Sequence, residues 1–158
     1  LQSCARSGHI NSIKFLVRSG VQVATASQGE IPALFQAIAA NQTQVVHLRF
    51  DVGARLHKPS DYGPEALCGA AEVNNLEGAK MLFDVGVQAS CFMPNGDFPL
   101  LLAAKAGWVG MVELLITSHA DPNSQDRAGQ TAMMAASIMG HIPVLQLLLD
   151  NDALMDKQ

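Results

Sequence analysis

Histidines, cysteines and one spaced pair of aspartates are the residues of this chain with reactive chemistry to offer. His9, His47, His57, His119 and His141 show no zinc-like spacing. Cys4, Cys68 and Cys91 are odd in number, and no two stand at a metal-ligand interval. Asp121 and Asp126 flank one loop-like stretch, where two nearby carboxylates are ordinarily just solvated. A catalytic site needs a nucleophile, a base and a group that orients them together. No Gly-x-Ser-x-Gly, Walker-type loop or His-Glu-x-x-His supplies such a set. The chain therefore reads as a non-enzyme, with no metal and no cofactor. The chemistry left to it is recognition.

Composition narrows what can be recognised. Apolar residues make up 49% and charged residues 15% of 158 positions, enough for a core and against disorder. A net charge of −4 leaves no basic surplus to neutralise phosphates, which argues against nucleic acid. Three cysteines without a framework indicate a reducing, intracellular and cytoplasmic setting. The greasy stretch FPLLLAAKAGWVGMVELLI (98–116) imitates a membrane span, but Lys105 and Glu113 charge it and Gly107 divides it. A spanning helix wants about 20 nearly uninterrupted apolar residues, so no membrane insertion is expected. Leu1 in place of an initiator Met reads the chain as a segment of something longer.

The elements that position these residues declare themselves by repetition. GHINSIKFLVRSG (8–20) returns as GHIPVLQLLLDND (140–152). Steps of 33 from Gly8 land on Asn41, Asn74, Gly107 and Gly140. The same step joins Gly20, Gly53, Gly86, His119 and Asp152, and joins Leu34, Leu67, Leu100 and Met133. Cys4, Ala37, Ala70, Ala103 and Ala136 form a further column, and Gly63, Gly96 and Gly129 another. Unbroken self-similarity at this length marks a stacked array. The Gly8 column holds only Gly and Asn, the residues that best tolerate a left-handed backbone at the end of a helix. A short helix with Leu100, Ala103 and Ala104 on one face precedes it. A second helix follows, with Val109, Val112, Leu114, Leu115 and Ile116 as its apolar stripe; in the last unit the stripe is Ile142, Leu145, Leu147, Leu148 and Leu149. One such unit buries too little to offset its chain entropy, so neighbours must share faces.

A 33-residue unit of two short helices and a hairpin-like link resembles the ankyrin repeat. That family opens its first helix with Thr-Pro-Leu-His, followed by an Ala-Ala pair and Gly-His. GDFPLLLAAKAGW (96–108) supplies Pro99, Leu100, Ala103, Ala104 and Gly107, and GQTAMMAASIMGH (129–141) supplies Thr131, Ala136, Gly140 and His141. GPEALCGAAEVNN (63–75) supplies Leu67, Ala70, Ala71 and Asn74. EIPALFQAIAANQ (30–42) supplies Leu34, Ala37 and Asn41, and the truncated first unit Ala5, Gly8 and His9. The resemblance implies an all-α repeat solenoid: one array of helix–turn–helix units joined by short β-hairpin-like loops, at about 1–28, 29–61, 62–94, 95–127 and 128–158. No unit holds the full tetrapeptide. Its Thr, a helix cap, survives as Thr131, and its Pro, suited to a first turn, as Pro99. Its His is replaced by Gln2, Phe35, Cys68, Leu101 and Met134, which predicts an array held mainly by apolar contact. Arg49 stands in a column otherwise filled by Leu16, Leu82, Leu115 and Leu148, either as a snorkelling stem or as a paired buried charge.

The resemblance further implies protein binding without catalysis, through a concave face of hairpin tips and first helices. The positions that packing leaves free there are Asp61, Tyr62, Glu72, Val73, Asn95, Asp97, Lys105, Arg127, Gln130, Ile138 and Met139. Tyr62 and Trp108 are aromatic candidates for interface anchors, or rings lying over apolar surface. Asp61, Glu72 and Asp97 would make the middle of the groove acidic, suiting a partner with basic and apolar features unless they are merely solvated. The other reading is a structural or regulatory spacer packed against another domain of its parent. Asn123 in ADPNSQD (120–126) resembles the setting in which an asparaginyl hydroxylase modifies ankyrin links, and is also a turn-former after Pro122. The last unit would expose Met133, Met134, Ile138, Leu145 and Leu148 without a polar cap. Flanking repeats or self-association through uncapped ends would satisfy that face.

Overall fold

The computed structural model describes residues 63–84 and 86–151, together with Arg6, His9, Asn11 and Ile38. The rest of the first two units lies outside them, including Arg49 and Asp61, as does Tyr62 of the third unit. Helices α1 (Gly63–Glu72), α2 (Leu76–Asp84), α3 (Pro99–Ala106), α4 (Val109–Thr117), α5 (Ala132–Met139) and α6 (Ile142–Asp150) succeed one another. Each odd-numbered helix packs on the even-numbered helix after it. The pairs then stack: α1 against α3 and α3 against α5, with α2 against α4 and α4 against α6 behind them.

The turn columns behave as their residue types demand. Asn74, Gly107 and Gly140 carry φ of 57°, 76° and 74°. That left-handed step lets the next backbone N–H fold back onto the helix just ended. Asn75 donates to Ala70 O, Trp108 to Ala103 O and His141 to Ala136 O, at 2.8, 3.0 and 2.9 Å. Gly86 and His119 do the same after the second helices, with φ of 89° and 67°. Thr131 Oγ1 accepts from Met134 N at 3.2 Å, so the surviving Thr does cap its helix. Pro99 fills the first turn of α3, where no N–H is missed.

The links between pairs are hairpin-like. Met93 N–H donates to Asp97 O and Gly96 N–H to Met93 O; one period on, Asp126 donates to Gln130 O and Gly129 to Asp126 O. A single antiparallel bridge, Gln125 to Thr131, closes the second link.

The core follows the alanine and leucine columns. Leu67, Ala70, Ala71, Leu100, Ala103, Ala104, Ala135 and Ala136 are buried where first helices meet, and their small side chains permit that close approach. The column that includes Arg49 is fully buried at Leu82, Leu115 and Leu148. The second helices bury a narrower face than their stripes suggest. Met111, Val112 and Leu115 are inside α4, and Val144 and Leu148 inside α6, whereas Val109 and Ile142 are exposed. Met111 and Val144 share the inner face with Leu115 and Leu148 at helical spacing, and that spacing decides burial.

Candidate functional site

One column ties the units together, and its chemistry changes at each step. Asn75, Trp108 and His141 stand one period apart, just after the left-handed turn. Asn75 Nδ2 donates to the Ile38 carbonyl at 3.0 Å, and its Oδ1 accepts from Gly78 N at 2.9 Å. Trp108 Nε1 donates to the Glu72 carbonyl at 3.1 Å. His141 Nε2 lies 3.1 Å from the Lys105 carbonyl, which can only accept, so that nitrogen carries the proton. An amide, an indole and an imidazole thus reach back to the preceding first helix in the same way. The expectation of an array held mainly by apolar contact gains one addition here. The family's opening His is indeed replaced by buried Cys68 and Leu101, but polar ties persist at this other column. Trp108→Phe keeps an aromatic ring, smaller than the indole, and loses the N–H donor. It should cost about 1 kcal/mol, read as a lowered midpoint in urea unfolding.

The ends of the first helices lie side by side and present Glu72 and Val73, then Lys105, then Ile138 and Met139. Glu72 and Val73 are exposed and Lys105 is half-buried. Ile138 and Met139 stand 73% and 56% exposed. Trp108 is tethered by its nitrogen and still 39% exposed, so it offers a fixed ring edge between the first two of these pairs. The other candidates sit on the links. Asn95 Nδ2 donates to Asp97 Oδ2 at 2.6 Å and its Oδ1 accepts from Asp97 N. The Arg127 guanidinium donates to the Pro94 carbonyl, and its stem lies against Gly96. Arg127 thus clamps one link to the next. Gln130 is half-buried, and its N–H donates to Asp126 Oδ1 at 2.8 Å. Asp61 and Tyr62 lie outside the described residues.

Leu76 and Phe92 are exposed apolar side chains that the sequence pattern did not single out, and Val109, Ile142 and Leu149, read there as part of the apolar stripes, are exposed as well. Phe92 packs its ring on Phe98, 5.3 Å between centroids. Leu76, Val109 and Ile142 are one period apart, a signal that the column reading could have supplied.

The two link aspartates hold their own turns. Asp121 Oδ1 accepts from Asn123 N, and Asp126 Oδ1 from Ala128 N and Gln130 N, all within 2.9 Å. Asn123 is therefore held in an Asx turn opened by Asp121 and Pro122. Among the described residues no three His, Cys, Asp or Glu side chains gather to hold a metal.

Cys68 is buried and Cys91 half-buried, both free thiols. Burial pushes the Cys91 thiol from its ordinary value near 9.0 up to about 11. Burial pushes Cys68 up further still, and the negative charge of Cys91, Asp97 and Glu72 adds to it. Both thiols therefore stay protonated in the fold at neutral pH. Iodoacetamide at pH 8 should modify them slowly and much faster once urea unfolds the chain. The raised values make stability fall as pH rises above about 9, where the unfolded thiols ionise first.

A family model described as ankyrin repeats in three copies matches residues 67–158. The chain belongs to the ankyrin repeat family. Its ankyrin units are 36% identical over 85 residues to the ARF GTPase-activating protein GIT2 of Mus musculus, covering 53% of this chain and 12% of that protein. The ARF GTPase-activating protein GIT1 of Homo sapiens is 38% identical over 85 residues, again 53% of this chain and 11% of that protein. The Neurogenic locus notch homolog protein 1 of Danio rerio is 41% identical over 66 residues, 42% of this chain and 3% of that protein. The ankyrin match thus spans 12% or less of the length of these relatives. Ankyrin repeats are generally protein–protein interaction modules. Among the described residues no helix is long and apolar enough to cross a membrane.

Proposed function

We propose that this ankyrin array is a non-catalytic module that captures a protein partner on its first-helix and link face. The observation that carries the reading is the row formed by α1, α3 and α5. Stacking aligns Glu72 and Val73, Lys105, and Ile138 and Met139 on one face, with the exposed edge of Trp108 fixed among them. A rigid aromatic edge beside mixed charge is what an interface anchor needs, because it loses little side-chain entropy on binding. The acidic Glu72 and Asp97 favour a partner with basic and apolar features. The free, protonated thiols fit an intracellular, cytoplasmic setting.

The test is capture of labelled proteins from a cytoplasmic lysate by the whole chain, followed by comparison of Val73→Asp and Lys105→Glu variants. Selective loss of one captured protein in both variants, with unchanged melting, is the expected result. Equal capture by all three chains would place binding elsewhere.

The second reading makes the array a spacer packed against another domain of a longer parent. The small share of each relative that the ankyrin match occupies favours it. Adjoining sequence that buries Val73 and Trp108 intramolecularly, seen as protection of Trp108 from fluorescence quenching, would support this reading over the first.

A further inference from the structure

Gly96 follows Asn95, and nowhere else in the chain does glycine follow asparagine. The pair sits at the tip of a link, just after Pro94, and Asn95 is exposed. Gly96 has φ of 96° and no side chain to crowd an approach to its nitrogen. The Asn95 side chain curls forward over its own backbone. Its Oδ1 accepts from Asp97 N at 3.0 Å, and its Nδ2 donates to Asp97 Oδ2 at 2.6 Å. The first bond polarises the amide carbonyl and is aimed where negative charge grows when a nucleophile attacks Cγ. The second holds the amide nitrogen beside a carboxylate. The nucleophile next along the chain is the Gly96 nitrogen.

Other asparagines are held differently. Asn75 is buried and gives its Nδ2 to the Ile38 carbonyl. Asn151 gives its Nδ2 to the Leu147 carbonyl, back along its own helix. Asn74, Asn75, Asn123 and Asn151 are all followed by residues whose side chains crowd ring closure. One contact at Asn95 opposes the reaction. Gly96 N–H donates to Met93 O at 2.9 Å, so the turn must open before that nitrogen reacts. Exposed turns open far more often than a slow covalent step requires.

We propose that Asn95 is a self-modification site, at which the folded chain loses a side-chain amide through a succinimide. The Gly96 nitrogen forms a bond to Asn95 Cγ. The bond from Cγ to Nδ2 breaks, and the Gly96 proton leaves with the amide nitrogen as ammonia. Water then opens the ring. Cleavage at Cγ yields aspartate, and cleavage at the backbone carbonyl yields isoaspartate. Aspartate sets a second carboxylate where the N–H met Asp97 Oδ2, and like charges repel. Isoaspartate adds a carbon to the backbone path. Pro94 and Gly96, the two residues that Arg127 holds, flank the site, so modification loosens the clamp between links. The chemistry needs no partner and stands whether or not this face binds one.

Peptide mapping by mass spectrometry of the whole chain, kept folded for weeks at mildly alkaline pH and body temperature, tests the proposal. The mass gain of amide-to-acid conversion should appear first on the peptide holding Asn95, divided between aspartate and isoaspartate. Peptides holding Asn75, Asn123 and Asn151 should stay unchanged over that time. An Asn95→Gln variant, whose longer side chain closes its ring more slowly, should lose the gain. The isoaspartate form, isolated by ion exchange, should melt below the unmodified chain. An amide at Asn95 that survives in the fold and reacts only in urea overturns the proposal, because the fold would then protect the site. Earlier loss at another asparagine overturns it as well. Equal melting of the two forms would contradict the loosened clamp.

Discussion

Gly107→Ala should destabilise the array by about 3 kcal/mol, and Gly140→Ala by only about 1 kcal/mol. Both glycines end a first helix with nearly the same left-handed φ, 76° and 74°. An alanine in that conformation costs about 1–2 kcal/mol on its own. The surroundings make the difference. A Cβ on Gly140 would meet nothing within 4 Å, whereas one on Gly107 would lie 2.8 Å from Cε1 and Nδ1 of the His141 ring. The ring would have to move, and its bond to the Lys105 carbonyl would go with it. Overpacking of that kind costs about 1–3 kcal/mol, and a lost hydrogen bond about 1 kcal/mol. Urea unfolding of the two variants side by side gives the comparison. Equal losses would mean that backbone strain alone matters and that His141 does not tie the units.

The second large effect is expected at Leu101. This side chain is fully buried in α3, between α1 and α5. Leu101→Ala should cost about 3–4 kcal/mol through lost burial and the cavity left behind. That is a large share of the total stability of a small domain, typically about 5–15 kcal/mol. Met134 stands one period later and is only half-buried. Met134→Ala should cost about 1 kcal/mol at concentrations where the chain is monomeric, since less surface leaves water when it folds. Thermal and urea midpoints of the two variants check the contrast. A Leu101 variant as mild as the Met134 one would show that α3 is not clamped between neighbours.

The parts of this fold that depend on one residue's own backbone were legible in the sequence. Asn74, Gly107 and Gly140 mark their turns because few residues tolerate that φ. Thr131 marks its cap and Pro99 its first turn for equally local reasons. The tie column was harder to read. Asn75, Trp108 and His141 share a position but no obvious chemistry, and the common feature is an N–H within reach of a carbonyl some 36 residues back. That can be seen only once two helices are placed side by side. The Trp108 ring left two readings open, apolar cover or exposed anchor, because an indole does both: its nitrogen is tethered and its edge is free. Arg127 looked like a free reader on a link and proved to be a clamp, since its reach to Pro94 depends on how adjacent links align. Met133 and Leu148 were expected at the open end and are buried, because their own pair covers them before any neighbour arrives.

The account holds that each helix pair owes its structure to the pairs beside it, through buried alanines and leucines and one donor per step. Circular dichroism of the excised unit 95–127, set against the whole chain under the same conditions, measures that dependence directly. The unit alone should show little helix and no cooperative melt, because its shared faces would be open to water. A helical unit that melts cooperatively by itself would contradict the account.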